Sequence, residues 1–293
     1  MGLPGQKVAS RSEFLTVRGL RYHVRHWSAG DDRPLLFLLH GWLDTSATFE
    51  DMVQPLLSDW QVIAPDWRGF GLSEWPQDGY WFADYLGDLE ALLAHYAPVG
   101  AVTLIGHSLG AQVASIYAGV RPQRVSELVL LDGLYMRDDP PERAPARIAQ
   151  WLDQLEQPPS EPRYAGYEQL AERIRRLHPR LTVERALMVA RGWGVERADG
   201  RIGLCADPRH RRVFPTLYRL AESKAVWSQV RARTLFIDGG RSELRARLSA
   251  DDLASRRACF ADCRERLVED CAHMLHFEAP EETARLIREF LES

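Results

Sequence analysis

The segment 106–110, with the sequence Gly-His-Ser-Leu-Gly, contains a serine whose surroundings suit a nucleophile. It lies between an apolar run, 102–105, and a helix-like stretch, 111–117. The pattern G-x-S-x-G between a strand and a helix predicts a sharp turn that exposes the serine hydroxyl at a sheet edge, with glycines where Cβ atoms would block the turn. Such a serine can attack a carbonyl carbon once a base removes its proton. Ser108 is therefore the candidate nucleophile.

Two backbone amides could stabilise the negative charge that this attack creates. Leu109 follows the serine at the predicted start of a helix, where amides lack intrahelical acceptors and the helix dipole favours negative charge. His40 and Gly41 follow the apolar run 35–39, so the amide of Trp42 is expected to point into the same space. The amides of Trp42 and Leu109 are the candidate oxyanion-hole donors.

A general base is expected near the C-terminus if the chain follows the order serine, acid, histidine that accompanies this turn. Two histidines, His273 and His276, lie between a predicted strand, 266–269, and a final helix, 281–291. Their position alone leaves both open as the base.

Two carboxylates compete to orient that histidine. Asp132 directly follows an apolar strand, whereas Glu243 and the neighbouring Ser242 follow the later strand 234–237. We favour Asp132, because it ends its strand at the edge that Ser108 occupies and its short side chain can hold an imidazole rigidly. Glu243 lies beyond two glycines in an arginine-rich segment, where a surface ion pair is the ordinary interpretation.

The elements that must position these residues predict an α/β protein. Residues 13–27 alternate apolar and polar side chains around Gly19, which predicts an antiparallel hairpin at a sheet edge. Short, continuously apolar runs follow, as expected for parallel strands buried on both faces, and helical stretches separate most of them. These runs are 35–39, 62–64, 102–105, 128–131 and 234–237.

One interval between strands is too long for a simple crossover and contains several amphipathic helical patterns. We interpret it as a helical cap inserted into one core. The predicted division is a core of residues 1–133 and 234–293 and a cap of residues 134–233.

Composition restricts the partners of this chain of 293 residues. The formal net charge is -4 and no concentrated basic face is evident, which argues against a nucleic-acid partner. No apolar stretch suffices to span a membrane, and the N-terminus lacks the apolar core of a secretory signal. The four cysteines show no zinc-ligand spacing and are predicted to be free thiols: Cys205, Cys259, Cys263 and Cys271. We expect a cytoplasmic location, without predicting an oligomeric state.

Four segments, in this order, resemble landmarks of the α/β-hydrolase family across nearly the whole chain. They are His40-Gly41-Trp42-Leu43-Asp44, Asp66-x-Arg68-Gly69-x-Gly71-x-Ser73, Gly106-His107-Ser108-Leu109-Gly110 and Ala272-His273-x-x-His276-x-Glu278-x-Pro280. The chain is most similar to the capped, serine-hydrolase-like (esterase-type) branch. This resemblance implies a mostly parallel eight-stranded sheet flanked by helices, with a cap after the sixth strand. It also implies that Ser108 is the nucleophile, that His273 is the base and that the Trp42 and Leu109 amides bind the oxyanion.

The function predicted from these residues is that of a serine hydrolase cleaving a carboxylic ester or thioester through an acyl-enzyme. Its catalytic residues would be Ser108, Asp132 and His273, its partner a small-molecule acyl substrate, and no metal or organic cofactor is required. Dehalogenases and soluble epoxide hydrolases of the family carry aspartate at the nucleophile position, so serine argues against those reactions. The alternatives are hydrolysis of a carbon–carbon bond in a β-diketone and a ligand-binding module with vestigial catalysis.

Overall fold

Ten strands run through the part of the chain that the structure, a computed structural model, describes: residues 7–30, 32–156 and 159–293. They are β1 (Arg11–Val17), β2 (Leu20–Trp27), β3 (Leu35–Leu39), β4 (Gln61–Pro65), β5 (Val102–His107), β6 (Val125–Leu131), β7 (Gly194–Glu196), β8 (Ile202–Leu204), β9 (Arg233–Gly239) and β10 (Cys263–Val268). Eight of them form one sheet in the order β1-β2-β4-β3-β5-β6-β9-β10, and β7 pairs with β8 separately. Strand β2 is antiparallel to both of its neighbours, and the remaining pairings in this sheet are parallel. The predicted α/β fold with a mostly parallel eight-stranded sheet is confirmed.

The described residues also form ten α-helices. They are α1 (Glu50–Val53), α2 (Phe82–Tyr96), α3 (Leu109–Val120), α4 (Ala144–Glu156), α5 (Tyr167–Leu177), α6 (Val183–Trp193), α7 (Leu220–Trp227), α8 (Ala250–Arg257), α9 (Leu275–Glu278) and α10 (Pro280–Leu291). None of the helices in the described part of the chain combines the length and the apolar character that crossing a membrane requires.

Strand β6 explains why the strand sequences are continuously apolar. Its residues Leu128 and Leu130 pack into a hydrophobic cluster with α2 and α3, whereas Val129 and Leu131 pack into a second cluster with α1 and α10. Both faces of the strand are therefore covered by helices, which leaves no polar face to produce an alternating pattern.

The edge hairpin also agrees with its sequence pattern. Strands β1 and β2 pair antiparallel up to Val17 and Leu20, and the two residues between them, Arg18 and Gly19, have φ values of 47° and 84°. A left-handed turn of this kind favours glycine, because a side chain is strained at positive φ.

The interval between β6 and β9 contains α4, α5, α6, α7 and the β7–β8 ribbon. A hydrophobic cluster joins Leu170 and Ile174 of α5 and Val189 of α6 to Met274 and Phe277. These last two residues follow β10, so α5 and α6 pack over the edge of the sheet at which β10 ends.

Helix α7 lies in the same interval but packs against α3 of the sheet layer. Its Trp227 is completely buried in the cluster that also contains α2 and α3, and its indole Nε1 donates to the Ser115 hydroxyl at 3.0 Å. The division into core and cap at residues 133 and 233 stays a prediction. Helix α7 lies within the predicted cap and contacts the core.

The turn between β5 and α3 depends on two glycines. A Cβ atom on Gly110 would lie 2.0 Å from the carbonyl oxygen of Leu39, and one on Gly106 would lie 2.4 Å from the carbonyl carbon of Gly110. Strand β3 and helix α3 thus approach each other as closely as their backbones permit, which brings the loop after β3 against the turn.

We expect Gly110→Ala to lower the free energy of unfolding by about 3 kcal/mol or more, because the added methyl group overlaps backbone that cannot rotate away. Urea unfolding measures the change. Gly30→Ala is the matched control, since a Cβ there would meet only the flexible Arg33 side chain at 3.5 Å, and we expect a change within about 0.5 kcal/mol. Equal unfolding midpoints for the two variants would contradict this account of the turn.

Candidate active site

Ser108 lies between the end of β5 and the first residue of α3, with φ 50° and ψ -109°. This is a strained conformation for a residue with a side chain. The amide of Ser108 donates to the carbonyl of Leu131 in β6 at 3.1 Å, which ties the turn to the neighbouring strand. The structure therefore contains the sharp strand-to-helix turn that the sequence predicts.

His273 lies in the loop after β10 and is paired with Asp132, which follows β6. The distance from His273 Nδ1 to Asp132 Oδ2 is 2.6 Å. The aspartate side chain is completely buried, whereas the imidazole is 23% exposed. The buried carboxylate can hold the ring through Nδ1 while Nε2 remains available for proton transfer.

Asp132 is itself held by neighbouring donors. Its Oδ1 accepts from the amide of Gly239 at 2.8 Å, and its Oδ2 accepts from the hydroxyl of Ser242. Burial raises the pKa of the Asp132 carboxyl, although the hydrogen bonds from His273, Ser242 and Gly239 oppose that shift. The carboxylate is therefore shielded from water, which strengthens its electrostatic interaction with the imidazole.

Glu243, the competing acid, is exposed and forms no hydrogen bond or ion pair with His273 in the described part of the chain. The residue before it, Ser242, is buried and reaches Asp132 instead. Strands β6 and β9 are neighbours in the sheet, so the loop after β9 supports the aspartate after β6 without supplying the acid itself. The structure brings Asp132 to His273 and leaves Glu243 apart.

The loop after β3 packs directly on the serine. A Cβ atom on Gly41 would lie 3.2 Å from the Cβ of Ser108, so only glycine fits there without displacing a neighbour. The amide of Trp42 has no acceptor among the described residues, and Leu109 opens α3, so its amide belongs to the first helical turn. Leu109 follows Ser108 directly, and Trp42 follows Gly41, the residue that packs on Ser108.

His40 fixes the shape of this loop. Its Nδ1–H donates to the carbonyl of Gly41 at 2.8 Å, and its Nε2 accepts from the amide of Trp67 at 2.9 Å. Burial lowers the pKa of His40, which agrees with the neutral ring that these two hydrogen bonds require. The two ring nitrogens of the buried His40 therefore join the backbone next to Trp42 to the backbone of Trp67.

His107 is a residue whose contacts no sequence pattern indicated. It is completely buried, its Nε2–H donates to the carbonyl of His273 at 2.9 Å, and the two ring centroids are 4.7 Å apart. Because His107 precedes Ser108, this contact holds the His273 loop against the turn that carries the serine. His276, the rival base, is completely buried and lies 3.0 Å from Asp44 rather than near Asp132.

A cavity of about 170 Å³ lies between α4 and the segments 77–81 and 209–215, and its lining includes none of Ser108, Asp132 and His273. Its lining includes the aromatic rings of Trp81, Trp151 and Phe214 together with Arg212 and His210. The indole Nε1 of Trp42 donates to the carbonyl of His210 at 3.3 Å, which connects the cavity to the loop that packs on Ser108.

The chain is similar to known proteins over most of its length. Residues 34–280 match the family described as the alpha/beta hydrolase fold. The chain is 28% identical over 280 residues to the serine hydrolase-like protein of Danio rerio, covering 91% of this chain and 83% of that protein. A shorter match, 35% identical over 121 residues, links it to the 2-(acetamidomethylene)succinate hydrolase of Mesorhizobium japonicum and covers 41% of this chain and 42% of that protein.

Solved structures give the same fold. The thioesterase domain from the curacin biosynthetic pathway has a TM-score of 0.84 at 23% identity, with 96% of this chain and 99% of that chain covered. An esterase from Mycobacterium tuberculosis has a TM-score of 0.77 at 20% identity, with 99% of this chain and 94% of that chain covered. These likenesses establish the fold and leave the reaction to be argued from the site.

Proposed function

This chain belongs to the α/β-hydrolase family and is a hydrolase of that type, and from this premise we propose that it cleaves a carboxylic ester or thioester through an acyl-enzyme intermediate. The observation that carries the proposal is the 2.6 Å contact between His273 Nδ1 and the buried Asp132 carboxylate, beside a serine in a strained turn. A binding module needs no such oriented base, so this pairing favours catalysis over the alternative of a ligand receptor.

In the proposed first step, Ser108 Oγ attacks the substrate carbonyl carbon while Nε2 of His273 accepts the hydroxyl proton. Asp132 accepts the Nδ1–H of the ring, keeps it in the tautomer whose Nε2 is basic, and stabilises the imidazolium that forms. His273 then returns the proton to the leaving alcohol or thiol, and the acyl group remains on Ser108.

The tetrahedral intermediate carries its negative charge on the former carbonyl oxygen. We assign the amides of Trp42 and Leu109 as the two donors to that oxygen, because both lie beside Ser108 and neither needs to break a hydrogen bond in the described part of the chain. The loss of one such donor typically costs about 3 to 4 kcal/mol of transition-state stabilisation. Trp42 therefore contributes to the reaction through its backbone.

The second half of the reaction releases the acid. A water molecule gives up a proton to His273 and attacks the acyl carbon, and the same two amides stabilise the second oxyanion. Collapse of this intermediate breaks the ester bond to Ser108, and the imidazolium returns its proton to the serine oxygen. No cofactor takes part in this sequence.

We further propose that residues 134–233 act as a cap and that the small-molecule substrate binds between this cap and the sheet. Contacts between this interval and the core support this placement, since Trp42 Nε1 donates to the carbonyl of His210 at 3.3 Å and the ring centroids of Trp81 and Trp151 lie 6.4 Å apart. The four cysteines, all unpaired thiols, support a cytoplasmic location for the protein.

We expect a fluorophosphonate probe to label the native protein once, at Ser108, and a panel of aryl esters and acyl thioesters to show a burst of product as the acyl-enzyme accumulates. Mass spectrometry of the labelled peptide and pre-steady-state kinetics measure the two effects. Ser126→Ala, which removes an exposed hydroxyl on β6, is the control and should label normally.

Two results would overturn this proposal. An unlabelled native protein that hydrolyses none of the panel would favour a binding module. Turnover of β-diketones in the absence of any ester or thioester hydrolysis would assign the site to carbon–carbon bond cleavage.

A further inference from the structure

We propose that Asp44, His107 and His276 form a binding site for a divalent transition metal of the Zn²⁺ type. All three side chains are buried, and one potential ligand atom of each lies within 4.8 Å of the other two. Asp44 belongs to the loop after β3, His107 ends β5 and His276 lies in α9. The proposal concerns residues outside the Ser108, His273 and Asp132 group and does not depend on the proposed reaction.

The orientation of His107 leaves one nitrogen with a free lone pair. Its Nε2 lies 2.9 Å from the carbonyl of His273, and since a carbonyl can only accept, Nε2 carries the proton. Nδ1 of the neutral ring is then an acceptor, and it is buried without a partner among the described residues. Gly41 leaves space beside this nitrogen, because a Cβ atom at position 41 would lie 2.8 Å from it.

His276 is in the same situation. Its Nε2 lies 3.1 Å from the Thr48 hydroxyl, and that hydroxyl has acceptors for its own proton in Asp44 Oδ1 and the carbonyl of Thr45. The Thr48 oxygen therefore accepts from Nε2–H of His276, and Nδ1 of the ring keeps a lone pair. This Nδ1 is also buried and unpartnered in the described part of the chain.

Asp44 supplies the negative charge. Its Oδ1 accepts from the indole Nε1 of Trp193 at 2.7 Å and from Thr48 at 2.8 Å. Its Oδ2 lies 3.0 Å from Nε2 of His276, yet this proximity lacks hydrogen-bond geometry, and Oδ2 is without a hydrogen-bond partner among the described residues. We assign the Nε2–H of His276 to the hydrogen bond with the Thr48 hydroxyl.

The cluster thus offers three buried acceptor atoms, Asp44 Oδ2, His107 Nδ1 and His276 Nδ1, that accept no hydrogen bond from the described residues. Two imidazole lone pairs and a carboxylate oxygen buried together repel one another, and a buried polar atom without a hydrogen bond is unfavourable. A water molecule can donate two protons but brings no positive charge. A divalent cation satisfies all three acceptors and compensates the charge of Asp44.

The donor set selects the class of metal. Two imidazole nitrogens and one carboxylate oxygen suit Zn²⁺ and its close substitute Co²⁺, whereas Mg²⁺ and Ca²⁺ prefer oxygen ligands. Zinc lies about 2.0 to 2.2 Å from such ligands, so tetrahedral donors are roughly 3.3 Å apart. One potential ligand atom of each residue lies within 4.8 Å of the other two, and metal binding would bring these atoms about 1.5 Å closer together.

Metal binding would be transmitted to the neighbouring loop through His107. The same ring that binds the ion through Nδ1 donates its Nε2–H to the carbonyl of His273. An ion on Nδ1 increases the acidity of that N–H and strengthens the hydrogen bond. Because the ion binds the folded chain, we expect the Tm to rise with metal concentration.

The test uses the full chain, freed of metal with a chelator and titrated with Zn²⁺ or Co²⁺. We expect one ion per chain, a higher Tm and the intense visible absorption of four-coordinate cobalt. X-ray absorption of the zinc form should show two imidazole ligands. Asp44→Asn, which keeps the size of the side chain and removes its charge, should weaken binding by more than about 10-fold.

Two variants locate the ion. His178→Gln is the matched control, since His178 also contacts a carboxylate, Glu278 at 2.7 Å, but lies outside the cluster, and it should bind metal normally. His273→Gln should also bind normally if the ion is held by the cluster rather than by the imidazole beside Asp132.

The proposal is wrong if the native chain binds neither metal with a Kd below about 1 mM, a value corresponding to about 4 kcal/mol. A single imidazole in the absorption spectrum, or loss of binding in His273→Gln, would place the ion on the His273 and Asp132 pair instead. The spectrum of the native zinc form decides the question even if Asp44→Asn does not fold.

Discussion

Replacement of Ser108 by alanine should lower kcat for the best ester by about a millionfold while the protein stays folded. Alanine keeps the Cβ atom that the turn already accommodates at φ 50°, so only the nucleophilic oxygen is lost. Steady-state kinetics on purified protein give kcat, and urea unfolding monitors the fold. A loss of tenfold or less would exclude Ser108 as the nucleophile.

His273→Ala should reduce kcat by a similar factor, because the serine hydroxyl is a weak nucleophile without a base. The double variant should be little worse than either single variant, since the two side chains act as one unit in the same step. The exposed His95, near the end of α2, provides the control, and His95→Ala should leave kcat nearly unchanged. Additive losses in the double variant would mean that Ser108 and His273 have separate roles.

Asp132→Asn should lower kcat by about 10⁴ with the fold retained. In the native chain, Oδ1 of Asp132 accepts from the Gly239 amide and Oδ2 accepts from His273. An asparagine that keeps its oxygen on the Gly239 side turns its NH₂ group toward Nδ1 of His273. The ring must then accept at Nδ1 and carry its proton on Nε2, which abolishes the basic lone pair that Ser108 needs.

Glu243→Gln is the matched comparison for Asp132→Asn, since each variant removes one carboxylate charge and preserves side-chain size. The glutamate is exposed and lies apart from His273, so we expect kcat to fall by less than roughly tenfold. Both variants should be measured on one ester at one pH. The reverse ranking would move the acid to the loop after β9 and contradict the assignment of Asp132.

The fold and the position of Ser108 in a strand-to-helix turn could both be predicted from the amino-acid sequence. Gly106 is required locally, because a Cβ there would overlap the backbone of Gly110, whereas Gly110 is required by the carbonyl of Leu39 in β3. The apolar runs within the strands follow from burial on both faces, as at residues 128–131 of β6, where successive side chains pack into two different hydrophobic clusters. The order of these elements along the chain then sufficed to predict a mostly parallel sheet.

The sequence favoured Asp132 without excluding Glu243, and the tertiary structure shows that Asp132 is the carboxylate that lies against His273. Asp132 and Glu243 follow β6 and β9, which are adjacent and parallel, so both loops open at the same sheet edge. Which side chain reaches His273 depends on the backbone direction at the end of its strand, and Asp132 has a positive φ of 43° there. The hydrogen bond from the Ser242 hydroxyl to Asp132 likewise depends on the tertiary structure, because the two residues lie in loops after different strands.

The cluster of Asp44, His107 and His276 depended on tertiary structure still more strongly. Metal sites are recognised in sequences by ligands at short, regular intervals, because one turn or one helix face then carries them. These three residues lie on separate elements, and Trp193 from α6 completes the surroundings of Asp44. Their proximity depends on how β3, β5 and α9 pack together, and the spacing of residues along the chain does not predict that packing.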